Sequence, residues 1–281
     1  PAMKNMTRIA LVAFLALFGT QMGCQGSVSD GETLPDDPDD PDETPDDPVE
    51  TPDDPDPADA RITTGLVALY DFSTGSGNVV YDRSGSGYNL EILDPENVVW
   101  LAGGGLDIVN DTALVNPAPA THISGPCKAS NSITVEAWAR TNSVLQEGPA
   151  RVVSLSENPN ARNFTLAQDV NEVNFRLRTT ETDNNGTPAT YSDQPEWDGQ
   201  IKHYVYTRDA TAVEGTVYVD GTIAGTDPVL GNLSTWSDEY PLTIANEPTL
   251  NRPWRGQLFL VAIYCDSKNA IDISQNMTAG Y

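Results

Sequence analysis

The sequence predicts an all-β protein, a two-sheet antiparallel jelly-roll sandwich, with an export signal and an acidic spacer before it. Three observations support this prediction. Short apolar segments alternate with turn residues from Gly65 to the end of the chain. Helical periodicity is confined to a short stretch near residues 270–277. Residues 61–281 are also enough for one core, because all-β sandwiches of about 200–250 residues are commonly single domains.

The first 24 residues have the pattern of a lipoprotein signal peptide. Lys4 and Arg8 precede an apolar run over residues 9–18. As a helix this run would span about 15 Å, half the thickness of a bilayer core, so it is typical of a signal peptide rather than a membrane span. The run ends at Gly23 and Cys24, which resemble a lipobox. We expect Cys24 to carry the lipid; a simple signal peptide that leaves Cys24 incidental is the alternative.

Acylation of Cys24 predicts a lipid-anchored protein of the bacterial cell envelope. The membrane is then a partner through the N-terminal lipid. Gln25 follows Cys24, where enteric bacteria use aspartate to retain lipoproteins at the inner membrane. We therefore expect an outer-membrane or cell-surface location.

Residues 25–60 form an acidic spacer with 15 Asp or Glu and no Lys or Arg. Pro-Asp-Asp-Pro repeats fill residues 35–57. Such a segment has little apolar surface to bury and cannot offset its chain entropy, while proline and like charges extend it. The pattern predicts a disordered linker that holds the domain away from the membrane. A diffuse sink for cations is the alternative.

The charge of the remaining chain excludes one class of partner. Residues 61–281 contain 26 acidic and 13 basic residues, within a chain of formal net charge −26. An acidic surface repels phosphate backbones, so we expect no binding to nucleic acid.

Individual strands can be predicted in order along this domain. Residues 65–72 read as the first strand and residues 82–87 as a turn. Residues 133–140 and 258–264 read as further strands. Residues 217–224 contain Asp-Gly between two β-rich segments, which predicts a hairpin with a type I′ turn.

Period-two alternation separates a core face from an outward face on the central strands. It assigns to the core Val135, Val173, Phe175, Leu177, Tyr204 and Tyr206. It then assigns to the outward face Glu136, Trp138, Arg176, Arg178 and His203. We expect these five to meet on the concave sheet, where an aromatic ring, arginine forks and a carboxylate suit sugar hydroxyls or acidic sugars. A network of paired charges, with His203 structural, is the alternative.

Trp254 and the cysteines are further candidates. Trp254 lies in a predicted loop, where it either stacks on a sugar or plugs the end of the sandwich. Cys127 and Cys265 are an even number in an exported chain once Cys24 is set aside, which permits a disulfide. Two free buried thiols are the other interpretation.

Four segments in the same order resemble the laminin G-like and concanavalin A-like lectin/glucanase jelly-roll family. They are GLVALYDFSTGSGNVVYDRSGSGYNLEI, SITVEAWAR, KHYVYTRD with GTVYVDGTIAGT, and LTIANEPTLNRPWRGQLFLVAIYCDS. The resemblance covers roughly residues 65–281 and implies one domain over residues 61–281. The sequence departs from the family at Lys202, where a Trp is common, and at Phe259 and Leu260, where acidic residues are common.

The resemblance implies calcium as a cofactor and leaves catalysis as the weakest interpretation. Oxygen-rich candidates for calcium are Asp82, Asn89, Asp107 and Asp111, although turn capping explains each of them as well. The family's glycosidase motif is Glu-x-Asp-x-x-Glu. Glu181 and Asp183 begin like it, but Gly186 occupies the place of the second Glu.

The sequence therefore predicts a non-catalytic binding or adhesion module at the cell envelope, with a carbohydrate or protein ligand. A structural envelope lipoprotein without a small ligand is the second interpretation. A polysaccharide-active enzyme is the third, because enzymes share this fold and fold does not determine function.

Overall fold

Two antiparallel sheets make up the part of the chain that the structure, a computed structural model, describes: residues 60–281. The predicted signal peptide, the acylation site Cys24 and the acidic spacer up to residue 59 lie outside the described residues. The predictions on them stay predictions.

The structure contains sixteen strands and two α-helices in its described part. The strands are β1 (Leu66–Tyr70), β2 (Val79–Val80), β3 (Leu90–Ile92), β4 (Val98–Trp100), β5 (Leu106–Ile108), β6 (Leu114–Val115), β7 (Ile133–Thr141), β8 (Gln146–Asn158), β9 (Ala161–Val170), β10 (Glu172–Leu177), β11 (Thr190–Tyr191), β12 (Lys202–Asp209), β13 (Glu214–Val219), β14 (Thr222–Pro228), β15 (Leu242–Ile244) and β16 (Gly256–Tyr264). The helices are α1 (Thr121–Ser130) and α2 (Ala270–Ala279).

The strands form two eight-stranded sheets. The first sheet has the order β14-β13-β12-β7-β16-β5-β4, with β1 also paired to β16. The second has the order β11-β10-β9-β8-β15-β6-β3-β2. Strands distant in the chain are neighbours in both sheets, as in β7 with β16 and β8 with β15. The predicted two-sheet antiparallel sandwich is confirmed.

The hydrophobic core lies between the two sheets. All six residues that alternation assigned to the core are buried in one cluster there. On β10, Val173, Phe175 and Leu177 face this core, and intervening residues face outward, because successive side chains of a strand point to opposite faces. The period-two prediction is therefore confirmed for this strand.

The predicted hairpin at residues 217–224 joins β13 to β14. Asp220 and Gly221 both have positive φ, 48° and 72°. A type I′ turn requires this conformation at both central residues, which is why Asp-Gly is favoured there.

Helix α2 confirms the helical stretch predicted near residues 270–277. The side chain of Asn269 caps its first turn, and Asp272 completes a capping box. Ile273 packs against Val205 and Tyr218, so α2 covers part of the outward face of the first sheet. Within residues 60–281, neither helix has the length and apolarity needed to cross a bilayer.

Helix α1 was not predicted from the sequence. Gly125 and Pro126 lie inside it, and both residues have low helix propensity. Its buried face carries Ile123 and Cys127. Cys127 forms a disulfide with Cys265, just after β16, with 4.4 Å between the Cα atoms. The structure thus confirms the predicted pairing. The disulfide holds α1 against the end of the first sheet.

Candidate functional site

The five outward residues that were expected to form one site lie on different sheets. Glu136 and Trp138 are on β7 and His203 is on β12, both in the first sheet. Arg176 is on β10 and Arg178 follows it, in the second sheet. The outward faces of a sandwich point in opposite directions. The prediction that these five side chains meet is therefore wrong.

Glu136 is the centre of a buried polar network on the first sheet, which we call the carboxylate clamp. Its Oε1 accepts hydrogen bonds from Arg61 Nη1 at 2.6 Å and His203 Nε2 at 2.8 Å. Its Oε2 accepts from the Tyr264 hydroxyl at 3.2 Å and Asn276 Nδ2 at 3.1 Å. Glu136 is 1% exposed. Both oxygens are occupied by the protein itself.

The carboxylate clamp ties the start of the domain to its C-terminal helix. Arg61 also donates to the carbonyl of Gly280, and the backbone N–H of Ile62 donates to Asn276 Oδ1 at 2.9 Å. Burial opposes ionisation of Glu136, but the hydrogen bond from His203 and the charge of Arg61 hold its pKa below the ordinary value. Glu136 and His203 therefore have a structural role here, which corrects their assignment to a ligand site.

The two tryptophans of the predicted site are also used in packing. Trp138 stacks on His203 with 4.8 Å between ring centroids. Trp254 is fully buried and donates its Nε1–H to Gln168 Oε1 at 3.1 Å, with Trp197 packed against it. A buried ring offers no face to a sugar, so Trp254 plugs the sandwich and its ligand-binding assignment is corrected.

A second polar network lies on the outward face of the second sheet. Two rows of paired residues cross β8, β9 and β10 on this face: Ser154, Thr165 and Arg176, and Arg151, Ala167 and Asn174. Their chain neighbours Leu166 and Phe175 face the core. Arg162 joins the first row, since its Nη1 donates to Thr165 Oγ1 at 3.0 Å.

Four guanidiniums lie near one another here, and one of them, that of Arg151, pairs with the carboxylate of Glu247. We call Arg151, Arg162, Arg176 and Arg252, with Glu247, the arginine cluster. Nε of Arg151 lies 3.5 Å from Glu247 Oε2, and both side chains are almost completely buried. Burial and the charges of Arg151, Arg176 and Arg252 lower the pKa of Arg162 to about 9. Burial likewise lowers the pKa of Arg151 to about 10, despite Glu247. The cluster has excess positive charge.

Six buried side-chain atoms in and beside the arginine cluster have no hydrogen-bond partner. The donors are the Nε atoms of Arg151, Arg162 and Arg176 and the Nδ2 of Asn174. The acceptors are Asn174 Oδ1 and Glu247 Oε2. The 3.5 Å contact of Arg151 with Glu247 is an ion pair without hydrogen-bond geometry. A buried group without a partner costs about 1–3 kcal/mol, so this face is incomplete as a structural network.

A cleft adjoins the arginine cluster at the end of the sandwich. A cavity of about 680 Å³ is lined mainly by Asn142, Ser143, residues 145–148, residues 251–253 and Arg255. Arg252 belongs to both the cleft and the cluster, and its carbonyl accepts from the backbone N–H of Arg151 at 3.0 Å. Ligand sites commonly have volumes of about 300–1,000 Å³. The cleft therefore has room for a small ligand beside Arg252, the member of the arginine cluster that lines it.

Sequence reasoning missed Arg151, Arg162, Asn174, Glu247 and Arg252 as functional candidates. For Arg151 and Arg162 the sequence did contain a signal, the alternation of polar and apolar residues on their strands. On β8 and β9, polar residues such as Ser154 and Thr165 alternate with core residues such as Leu155 and Leu166. Glu247 and Arg252 lie in a loop, where no periodicity could have indicated them.

Asp82 and Asn89, two of the calcium candidates, cap a turn. Asp82 accepts hydrogen bonds from the backbone of Leu69 and Gly87 and from the hydroxyl of Ser86. These hydrogen bonds, against the effect of burial, lower the pKa of Asp82. Asn89 Oδ1 accepts from the backbone N–H of Asp82 at 2.9 Å. Both residues fit the capping alternative.

Asp107 and Asp111 lie elsewhere and also have partners. Asp107 accepts from Asn142 at 3.0 Å and from Gln257 at 3.1 Å. Asp111 pairs with Arg255 at 2.7 Å. Over residues 60–281, no three His, Cys, Asp or Glu side chains come together as a metal site. The four candidates do not fit one calcium site, and calcium binding as such stays a prediction.

Comparison with family models identifies the fold independently. A model described as the concanavalin A-like lectin/glucanases superfamily matches residues 110–274. This match covers more than half of the chain. A search of curated proteins found no match.

Solved structures share the sandwich at low sequence identity. A Trypanosoma rangeli sialidase in complex with the inhibitor DANA has a TM-score of 0.55 and 20% identity, over 77% of this chain and 33% of the sialidase. The binding domain of botulinum neurotoxin DC in complex with rat synaptotagmin II has a TM-score of 0.55 and 14% identity, over 77% of this chain and 52% of the toxin domain. The chain thus spans a third to a half of these proteins, and the likeness shows the fold alone.

Proposed function

The chain belongs to the concanavalin A-like lectin/glucanase superfamily, and from this membership we propose that it is a non-catalytic binding module for a carbohydrate or protein ligand. The arginine cluster and the adjoining cleft are the proposed binding surface. A lipid on Cys24 would hold the module at the bacterial cell envelope, with the acidic spacer between them. The toxin neighbour is itself a binding domain, which supports a binding function for this fold.

One observation carries the proposal: the six unpartnered buried atoms of the arginine cluster and the adjacent Asn174. Like charges brought together in a poorly solvated place repel one another, and unpaired donors add their own cost. Such a group lowers the stability of the free protein. An anionic ligand would supply the missing acceptors and neutralise the charge. Binding would therefore recover the stability that the unpaired donors and the charge repulsion remove from the free protein.

The chain offers less support for catalysis. A retaining glycosidase needs two carboxyl groups about 5–5.5 Å apart. In the loop that begins like the glycosidase motif, Gly186 replaces the second acid, and Asp183 accepts hydrogen bonds from Asn185 and Thr187 of the same loop. The sialidase neighbour is matched over a third of its length, and its activity belongs to that protein.

A glycan array and a pull-down from envelope extracts test this function. The full chain, solubilised in detergent, is compared with Arg176→Gln and with Arg83→Gln, which removes an exposed guanidinium paired to Asp71. We expect the wild type and Arg83→Gln to retain the same ligand and Arg176→Gln to lose it. Equal retention by all three proteins would place the binding surface elsewhere and contradict the proposal.

A further inference from the structure

We infer that the ligand of the arginine cluster is an acidic sugar, one that carries a carboxylate next to free hydroxyls. This inference rests on the proposed function and names its ligand class. It follows from the kinds of atoms that the cluster leaves without partners, from the charge around them and from an accessible aromatic ring beside them.

The unpartnered donors call for a carboxylate. Arg151 uses Nη1 on the Pro149 carbonyl at 2.6 Å, and Arg162 uses Nη1 on Thr165 and Nη2 on the Pro159 carbonyl. In both residues, and in Arg176, the Nε–H remains free. A guanidinium binds a planar carboxylate side-on through Nε and its neighbouring Nη, with two parallel hydrogen bonds. A carboxylate matches the free edges of these guanidiniums, but their Nε atoms are buried, so it reaches them only when neighbouring side chains move aside.

The unpartnered acceptors call for hydrogen-bond donors on the same ligand. Glu247 Oε2 lies 3.5 Å from Nε of Arg151, so an acceptor stands directly beside a donor. Asn174 presents a free carbonyl oxygen and a free N–H₂ group from one buried amide. A bare anion leaves these acceptors unsatisfied. A sugar ring carries hydroxyls beside its carboxylate and satisfies both sets.

Tyr191 provides a surface on which a sugar ring can lie. It is the direct cross-strand partner of Asn174, so its side chain shares the outward face, where it is half-buried. Its hydroxyl donates to Asp169 Oδ2 at 3.2 Å, which holds the ring in place. Burial and Asp169 raise the pKa of Tyr191, whereas the charge of Arg176 opposes them.

Calorimetric titration of the full chain in detergent tests the ligand class. The acidic probes are tetragalacturonate and sialyllactose. Their neutral counterparts are the fully methyl-esterified tetramer and lactose, which keep the hydroxyls and lack the carboxylate. Tetraglutamate represents a protein carboxylate, and a sulfated disaccharide represents another anion. We expect at least one acidic sugar to bind about tenfold or more tightly than its neutral counterpart, because hydrogen bonds to charged groups are strong.

Asn174→Asp is the sharpest variant, because it adds a carboxylate inside the cluster without changing the size of the side chain. The internal anion neutralises the guanidiniums, so we expect a higher melting temperature together with loss of acidic-sugar binding. Arg176→Gln should weaken the acidic sugar by about 10- to 100-fold, and Arg83→Gln should leave its affinity unchanged. A cluster with a purely structural role would gain stability in Asn174→Asp without any change in binding.

The outcomes separate this inference from the proposed function. The protein could instead prefer tetraglutamate, the sulfated disaccharide or a neutral sugar to both acidic sugars. If Arg176→Gln still weakened that binding, the acidic-sugar inference would be overturned and the proposed binding module would stand. If Asn174→Asp and Arg176→Gln left binding unchanged, the inference and the proposed function would both be overturned. The same would follow if no probe and no component of the envelope extract bound.

Discussion

The two outward faces of the sandwich each carry a buried charged network, and the networks differ in how completely they are paired. In the carboxylate clamp, both oxygens of Glu136 accept hydrogen bonds from Arg61, His203, Tyr264 and Asn276. One atom of the clamp, His203 Nδ1, has no partner, against six buried atoms of the arginine cluster and Asn174, where Glu247 pairs with Arg151 alone. Residues of both networks are almost completely buried, so a difference in burial does not explain the difference in hydrogen bonding.

The difference indicates which network serves folding and which serves a ligand. A buried charge that is fully hydrogen-bonded rigidifies the structure around it, whereas a half-satisfied network lowers stability. The carboxylate clamp joins Arg61, at the start of the domain, to Asn276 on α2, which is a structural task. The arginine cluster performs no comparable task with its free atoms, and an anionic ligand would supply their missing partners.

Removal of the clamp carboxylate should have the largest effect on stability. Glu136→Ala leaves Arg61 and His203 buried without their acceptor, so we expect a loss of about 3–5 kcal/mol in the free energy of unfolding. Urea denaturation of the variant and of Glu91→Ala, an exposed glutamate on β3, measures the loss. If the two variants were equally stable, the clamp would not be a structural network.

Removal of one arginine from each network should lower the stability of the protein by unequal amounts. Arg61→Met breaks a satisfied pair, whereas Arg162→Met relieves repulsion from Arg151 and Arg176. We expect Arg61→Met to be the less stable variant by about 2 kcal/mol and Arg162→Met to lie within about 1 kcal/mol of wild type. Denaturation curves recorded side by side measure this. Equal losses would remove the distinction between the networks.

Acid should weaken the clamp in a predictable direction. The pKa of Glu136 is lower in the folded protein than its ordinary value. The contribution of Glu136 to the free energy of unfolding is therefore fully present above the ordinary glutamate pKa. It is lost as the pH falls through the pKa of Glu136 in the folded protein. Stability measured from pH 7 to pH 3 should fall less steeply in Glu136→Gln than in wild type. Parallel curves would show that another carboxylate controls acid unfolding.

Deletion of residues 25–59 should have the smallest effect. The acidic spacer has little apolar surface to bury, so we expect the melting temperature to stay nearly unchanged. A loss of several degrees, absent when the deletion is made in Arg176→Gln, would mean that the chain's own carboxylates neutralise the arginine cluster. That result would replace the external ligand with an internal one.

Local pattern was enough to predict the strands but not the site. Alternation assigned Arg176 to the outward face of β10, and Asp-Gly predicted the turn at Asp220 and Gly221; the structure confirms both. Alternation says nothing about which sheet a strand joins. It therefore grouped Arg176 with Glu136, although the two lie on opposite faces of the sandwich.

By itself the sequence determined the all-β class and the core face of the central strands, because these depend on side-chain period, turn chemistry and composition. It permitted the Cys127–Cys265 disulfide, which the structure then showed. Only the tertiary structure decided that Arg61 supplies the partner of Glu136 and that Glu247 stands among four arginines. Arg61 and Glu136 are 75 residues apart, and Arg151 and Glu247 are separated by almost a hundred. Contacts over such distances arise from strand pairing and loop closure, which no local period encodes.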